Sequence, residues 1–189
     1  MADKPNQIVC LKDRILMYIN GLEVFRIFNG KLKLGVLFDQ AYVKVSDVKA
    51  YNVSGGTSTS ATWHTRDINT EDSDDSNICS IASNQITLDA GTYICSIFCL
   101  SHGAARNFVI LYNVTDSSVE LLGPPLYLSP TTYLDCVPAK VVGKFTISAQ
   151  KTFEIRHYIE RGQATYGLGV ETGVAGYNSV YTIAEFWKQ

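Results

Sequence analysis

Three histidines, five cysteines and eighteen carboxylates are the side chains of this 189-residue chain that could carry acid–base, nucleophilic or metal chemistry. Their spacing argues against each use. His64, His102 and His157 are far apart, and the sequence holds no HExxH, no two-histidine cluster and no GxSxG, so the zinc and nucleophile templates find no support. His157 falls on the apolar phase of a strand pattern and reads as a hydrogen-bonded core residue, while His64 and His102 lie near strand or loop ends with no readable role. The acidic run from Glu71 to Asn77 offers oxygen ligands for calcium, but it lacks the glycine and the twelfth-position glutamate of an EF-hand loop. It reads as a solvated loop. Glycosidase chemistry needs two carboxylates across a sugar, and Glu120, Asp135, Glu154, Glu160, Glu171 and Glu185 are candidates among which spacing singles out no pair. The glycine-bearing stretch 162–176 has no lysine and opens no helix, so it is no phosphate cradle. The residues alone therefore single out no catalytic, cofactor-binding or metal site.

Cys10, Cys79, Cys95, Cys99 and Cys136 form no CxxC pair and are odd in number, which fits reduced thiols acting as small hydrophobes. On one strand Cys95 and Cys99 share a face roughly 13 Å apart, too far for a disulfide. The first residues lack the apolar centre of a signal peptide, so the sequons at Asn52 and Asn113 are expected to stay unmodified.

The elements that must position these groups are β-strands almost throughout. A chain that is 46% hydrophobic and 18% charged folds, and its net charge of −2, without a basic stripe, makes nucleic acid and anionic membrane poor partners. No apolar run approaches the roughly 20 residues of a spanning helix. Between residues 11 and 38, β-forming runs are divided by Asn20-Gly21 and Asn29-Gly30, the pairing that suits type I′ hairpin turns. The expectation is a three-stranded meander with apolar residues on both faces, inside an N-terminal module at 1–50. Residues 51–61 are rich in glycine, serine and threonine and read as a flexible joint. Beyond them, strands expected near 86–88, 92–100, 107–113, 119–122, 141–147, 152–158, 165–170 and 179–187 imply a β-sandwich or barrel. Alternation turns Phe145, Ile147, Phe153, Ile155 and His157 inward, and likewise Tyr166, Leu168 and Val170 against glycines. In the strand expected at 165–170, Gly167 and Gly169 mark a tight packing seam beside Tyr166.

What remains is surface. Tyr127, Tyr133, Tyr158, Tyr166, Tyr177 and Tyr181, with Arg106, Arg156 and Arg161, are the residue types that interfaces favour, in a chain of 11 tyrosines.

Four segments then stand together: residues 62–70 (TWHTRDINT), 83–93 (SNQITLDAGTY), 111–116 (LYNVTD) and 143–157 (GKFTISAQKTFEIRH), followed by 180–188 (VYTIAEFWK). In order and spacing they resemble the C1q/TNF-like jelly-roll head domain of tailed-bacteriophage virion proteins, over residues 62–189. Residues 99–103 (CLSHG) and 122–126 (LGPPL) depart from the usual loop text, so no ligand preference carries over. The resemblance implies a non-enzymatic homotrimeric jelly roll on the virion surface, made in the host bacterial cytoplasm. It further implies that the segment near Tyr166 and Leu168, with Tyr181 of the last strand, lines the three-fold contact. Because no heptad, collagen-like triplet or repeat precedes the head, the expected role is a capsid decoration or cement protein seated through residues 1–50 on the major capsid protein or another virion protein. A short tail-fibre or receptor-binding tip that touches a host glycan or receptor is the alternative. A polysaccharide-cleaving spike and a secreted C1q-like signalling protein are more distant readings.

Overall fold

The computed structural model describes residues 7–10, 14–19, 22–28, 31–34, 41–127 and 138–189, and every regular element among them is a strand. The chain divides into two compact units, residues 1–40 and 41–189.

The first unit is an antiparallel meander. Strands β1 (Gln7–Cys10), β2 (Arg14–Ile19), β3 (Leu22–Phe28) and β4 (Lys31–Leu34) lie in sequence order, which adds one strand at the N-terminal edge to the three expected. Ile15 sits opposite Ile27, and Phe25 opposite Leu34. Both Asn-Gly pairs lie outside the described residues, but each falls between strands that pair antiparallel.

The second unit begins with β5 (Ala41–Lys49), so the boundary stands at residue 40 and not at 50. Its alternation of Val43 and Val45 with Tyr42 and Lys44 is a strand pattern, and both valines are fully buried in the sandwich core. After β6 (Thr62–Thr65), β7 (Thr70–Asp74), β8 (Cys79–Ala82), β9 (Gln85–Leu88) and β10 (Gly91–Cys99) come β11 (Arg106–Asn113), β12 (Ser118–Leu122), β13 (Leu126–Tyr127), β14 (Ala139–Ile147), β15 (Lys151–Ile159) and β16 (Ser179–Lys188). One sheet runs β14-β10-β16-β5-β7. The other runs β12-β11-β15-β9-β8, with β13 on β11 and β6 extending the pairing of β15. The inner faces meet in a core where Phe145 contacts Tyr93, Phe153 and Phe186 at ring separations of 5.5, 5.5 and 6.5 Å. Cys95 and Cys99 lie in this core as free thiols, their ionisation pushed up to about 12 and about 11 by burial. Of the expected inward set, Phe145, Ile147, Phe153, Ile155 and His157 are buried, whereas Leu168 is half-buried and Tyr166 and Val170 are exposed, because residues 165–170 do not run as a strand.

Three local expectations are corrected. Residues 51–61 are no free joint: the Gly55, Gly56 and Ser58 amides donate to the Gly169, Thr165 and Gln163 carbonyls at 2.9, 3.2 and 2.9 Å. Their small side chains permit close approach, since a Cβ on Gly55 would lie 2.5 Å from the Leu168 carbonyl oxygen. Residues 165–170 form turns, not a strand. Gly169 has φ +134°, and a Cβ there would fall 2.3 Å from the Tyr181 ring. The tight seam beside Tyr166 is therefore real, but it lies within the protomer. Finally, the acidic run opens as edge strand β7, paired to β5, and only then turns. The Asp74 carboxylate accepts the Ile78 and Cys79 amides at 3.1 and 2.8 Å, an Asx-type turn that stands in for a loop.

Candidate functional site

The residues expected to form one contact surface lie close together in the fold but differ in exposure. Tyr166 is exposed on its turn. Leu168 is half-buried, and its amide donates to the Gly56 carbonyl at 3.0 Å. Tyr181 is 1% exposed. The pairing of β16 with β5 slips between Val180 and Thr182, and a bulge of this kind re-aims the extra side chain. Tyr181 thus turns into the protomer against Gly169, where its hydroxyl donates to the Val53 carbonyl at 2.6 Å. Strict alternation along 179–188 conceals that bulge.

The outward face of the five-stranded sheet is apolar where water would favour polar groups. Register aligns Lys144, Ile94, Trp187 and Tyr42 in one row and Lys140, Phe98 and Ile183 in another. Between these rows stand Val142, Ser96, Glu185 and Lys44. Val142 is 67% exposed, Val180 41% and Ile94 38%, an apolar grouping of the sort that marks an interaction surface. A hollow of about 490 Å3 opens here, lined in part by Phe98, Leu100, Pro138, Val180 and Ile183. Tyr42 packs against Trp187 with ring centroids 5.5 Å apart and planes tilted by 39°, and donates its hydroxyl to Glu185 Oε1 at 2.6 Å. Burial, then that hydrogen bond, pushes the Tyr42 phenol up to about 12. Tyr42 and Glu185 on this face are thus already paired within the chain.

A buried polar knot fixes the end of the sandwich nearest the turns, and its central residue drew no notice in the sequence. Arg66 is 1% exposed. Its Nε donates to Thr182 Oγ1 at 3.0 Å, Nη1 to the Leu100 carbonyl at 3.1 Å, and Nη2 to the Leu168 and Tyr181 carbonyls at 2.9 and 3.1 Å. Burial pulls its ionisation down, opposed by nearby Asp47 and Asp67. Asp47, itself buried, is raised by burial although Lys49 sits 3.3 Å away. The only clue in sequence is an arginine inside an otherwise strand-like segment, a weak signal.

The candidates for chemistry are dispersed. His157 is fully buried with Nε2 3.1 Å from Asn107 Oδ1, the core role expected of it. His64 Nε2 lies 3.1 Å from the Thr59 amide nitrogen. Glu120 accepts from Asn113, Glu154 pairs with Arg156, Glu160 with Arg106, and Glu185 accepts from Tyr42. Glu171 keeps a buried oxygen without a partner among the described residues, while Asp135, Tyr133 and Cys136 lie outside them. Among the described residues no three His, Cys, Asp or Glu side chains gather as a metal site. Tyr127 and Tyr177 are well exposed, with Arg106 over the Tyr127 ring at 5.0 Å.

No family model and no curated protein matches this chain. Solved structures do. The crystal structure of murine APRIL at pH 5.0 aligns with a TM-score of 0.53 and 9% identity, covering 80% of this chain and 100% of that one. Murine APRIL at pH 8.5 gives 0.51 and 10% over the same shares. The globular domain of zebrafish complement 1qA aligns at 0.46, with 13% identity over 79% of this chain and 97% of its own. At such identities likeness defines the fold. The protein is an all-β, C1q/TNF-like jelly-roll sandwich preceded by a small β-meander.

Proposed function

We propose that this protein is a non-enzymatic, homotrimeric surface knob of a tailed-bacteriophage virion that decorates and cements the capsid. In this reading three jelly rolls associate through the outward face of their five-stranded sheets, and the N-terminal meander seats them on the major capsid protein or another virion protein. The observation that carries the assembly is the exposed apolar face around Ile94, Val142 and Val180, which a lone protomer would leave in water. The virion setting rests on the resemblance of the five quoted segments. Tyr166 and Leu168 stay as candidates for the edge of the contact. Tyr181 instead supports it from within the protomer.

Copy number tests the role. Quantitative mass spectrometry of purified particles should find this chain at an abundance near that of the main shell subunit. A few trimers per tail would move it to a fibre or receptor-binding tip, and absence from particles would overturn the virion reading altogether.

A further inference from the structure

The outward face of the seven-stranded sheet carries a second surface, used neither by the core nor by the proposed assembly. Register places Trp63, Tyr158 and Phe108 side by side on β6, β15 and β11. Trp63 packs edge-on to Phe108 at 5.0 Å and to Tyr158 at 5.5 Å. It stays 43% exposed nonetheless, although burial of a large aromatic ring is among the strongest apolar gains available to a fold.

Further along the same face, about 7 Å away for each two residues of strand, the outward side chains are polar and already ordered. The Arg156 guanidinium lies over the Tyr112 ring, 3.5 Å from its centroid, and its Nε donates to Glu154 Oε2 at 2.8 Å. Glu154 Oε1 accepts the Gln85 amide at 3.0 Å. Burial would raise the Glu154 carboxyl, but the Gln85 and Arg156 hydrogen bonds outweigh it and hold it below its ordinary value. Arg156 is held through Nε and through its guanidinium face on Tyr112, and its side chain is 32% exposed. The face thus pairs an open indole with a braced row of guanidinium, carboxylate and amide.

We propose that this face is a saccharide-binding platform, which takes a neutral, hydroxyl-rich glycan with its C–H face on Trp63 and vicinal hydroxyls between the Arg156 fork and the Glu154–Gln85 pair. A pyranose offers that combination, an apolar face bounded by an edge of donors and acceptors. The charge balance of the patch selects neutrality. Arg156 and Glu154 cancel, so a phosphate backbone or an acidic glycan meets as much repulsion as attraction. A protein partner would strip water from this ion pair at a cost that apolar contact must repay, whereas sugar hydroxyls replace the departing water bond for bond. Because Arg156 and Glu154 are already held in place, little ordering remains to oppose binding.

The test uses the full-length protein on an immobilised panel of neutral hexose and N-acetylhexosamine oligosaccharides, with heparin and polysialic acid as acidic controls. Solution titration of tryptophan fluorescence follows, since Trp187 is the sole other indole. Saturable binding to a neutral oligosaccharide is expected, weakened at least tenfold by Trp63→Ala and by Arg156→Gln with unchanged circular dichroism. If Trp63→Ala fails to fold, Arg156→Gln decides alone. Retention of the acidic controls only, retention of nothing on the panel, or equal affinity in the variants would overturn the proposal. None of these results depends on particle stoichiometry, so failure here leaves the cement reading untouched, and the reverse holds.

Discussion

Lowering the pH should destabilise this sandwich through a single histidine. His157 is fully buried on β15, with Nε2 against Asn107 Oδ1 and Nδ1 unpartnered among the described residues. With the Asn107 oxygen as acceptor, Nε2 carries the proton and Nδ1 is bare. Protonating Nδ1 would bury a cation without an acceptor. Burial first, and then Arg66 and His64, hold the His157 pKa well below its ordinary value of 6.5. In the unfolded chain the same imidazole titrates near 6.5. Above that pH neither state binds the proton and nothing is lost. Below it the unfolded state gains a proton that the native state refuses, so stability falls by about 1.4 kcal/mol per pH unit until the native pKa is reached. His157→Gln removes this linkage while keeping a polar group near Asn107. Packing loss should make the variant about 1–2 kcal/mol less stable at pH 7.5, and the gap should close as pH falls through about 6 to 5, because only the wild type carries the extra slope of about 1.4 kcal/mol per unit. Urea denaturation at one protein concentration, stepped from pH 7.5 to 5, reads both curves with the carboxylate background common to them. Parallel curves would refute the argument.

Removing the guanidinium by Arg66→Met should cost about 3–5 kcal/mol, because four hydrogen bonds to three carbonyls and a hydroxyl are lost in a dry site, with the Tyr181 carbonyl keeping a second donor in the Leu100 amide; Arg66→Lys should restore little, as an ammonium cannot span that fork. Denaturant midpoints check both. Gly169→Ala should cost about 2 kcal/mol or more from combined φ strain and collision with Tyr181, whereas Gly173→Ala, with φ +63° and open space around it, should cost about 1 kcal/mol at most. Val142→Lys should leave the chain monomeric in light scattering, with unchanged circular dichroism, where the wild type forms the proposed trimer, and a persistent trimer in the variant would remove the five-stranded face from the assembly.

The sandwich was legible where alternation is honest. Phe145, Ile147, Phe153 and Ile155 turn inward because a two-residue period and a buried face coincide. Residues 165–170 alternate equally well, but their glycines sit where any Cβ would strike Ser58 or Tyr181, and such close contacts are long-range facts absent from a local pattern. The same physics misplaced the boundary. Glycine and serine at 51–61 signal freedom only when nothing approaches them, and the 163–169 segment does. Tyr181 was legible as an important residue but not as a buried one, since a bulge shifts the period without altering composition. Arg66 was invisible because its partners come from three distant segments. The aromatic row is a middle case: Trp63, Phe108 and Tyr158 are plain in the sequence, yet only the β6–β15–β11 register brings them together.

The two outward faces lie on opposite sides of a sandwich about 10 Å thick, and this geometry separates assembly from recognition. If three copies bury the five-stranded face, the Trp63 platform of each stays outside, and one knob presents three equal sites. Shallow exposed sites bind single sugars weakly, but linked sites on one rigid body gain a factor of about 10²–10⁴ in avidity when a surface offers repeated ligands. Val142→Lys therefore separates two quantities that the proposed trimer would join. In solution, against a monovalent oligosaccharide, the variant should match the wild type, because Val142 lies on the other sheet. On a dense immobilised glycan it should dissociate at least about 100-fold faster. Equal dissociation on the dense surface would mean that the platforms never act together, and a weakened solution affinity would mean that the two faces are not independent.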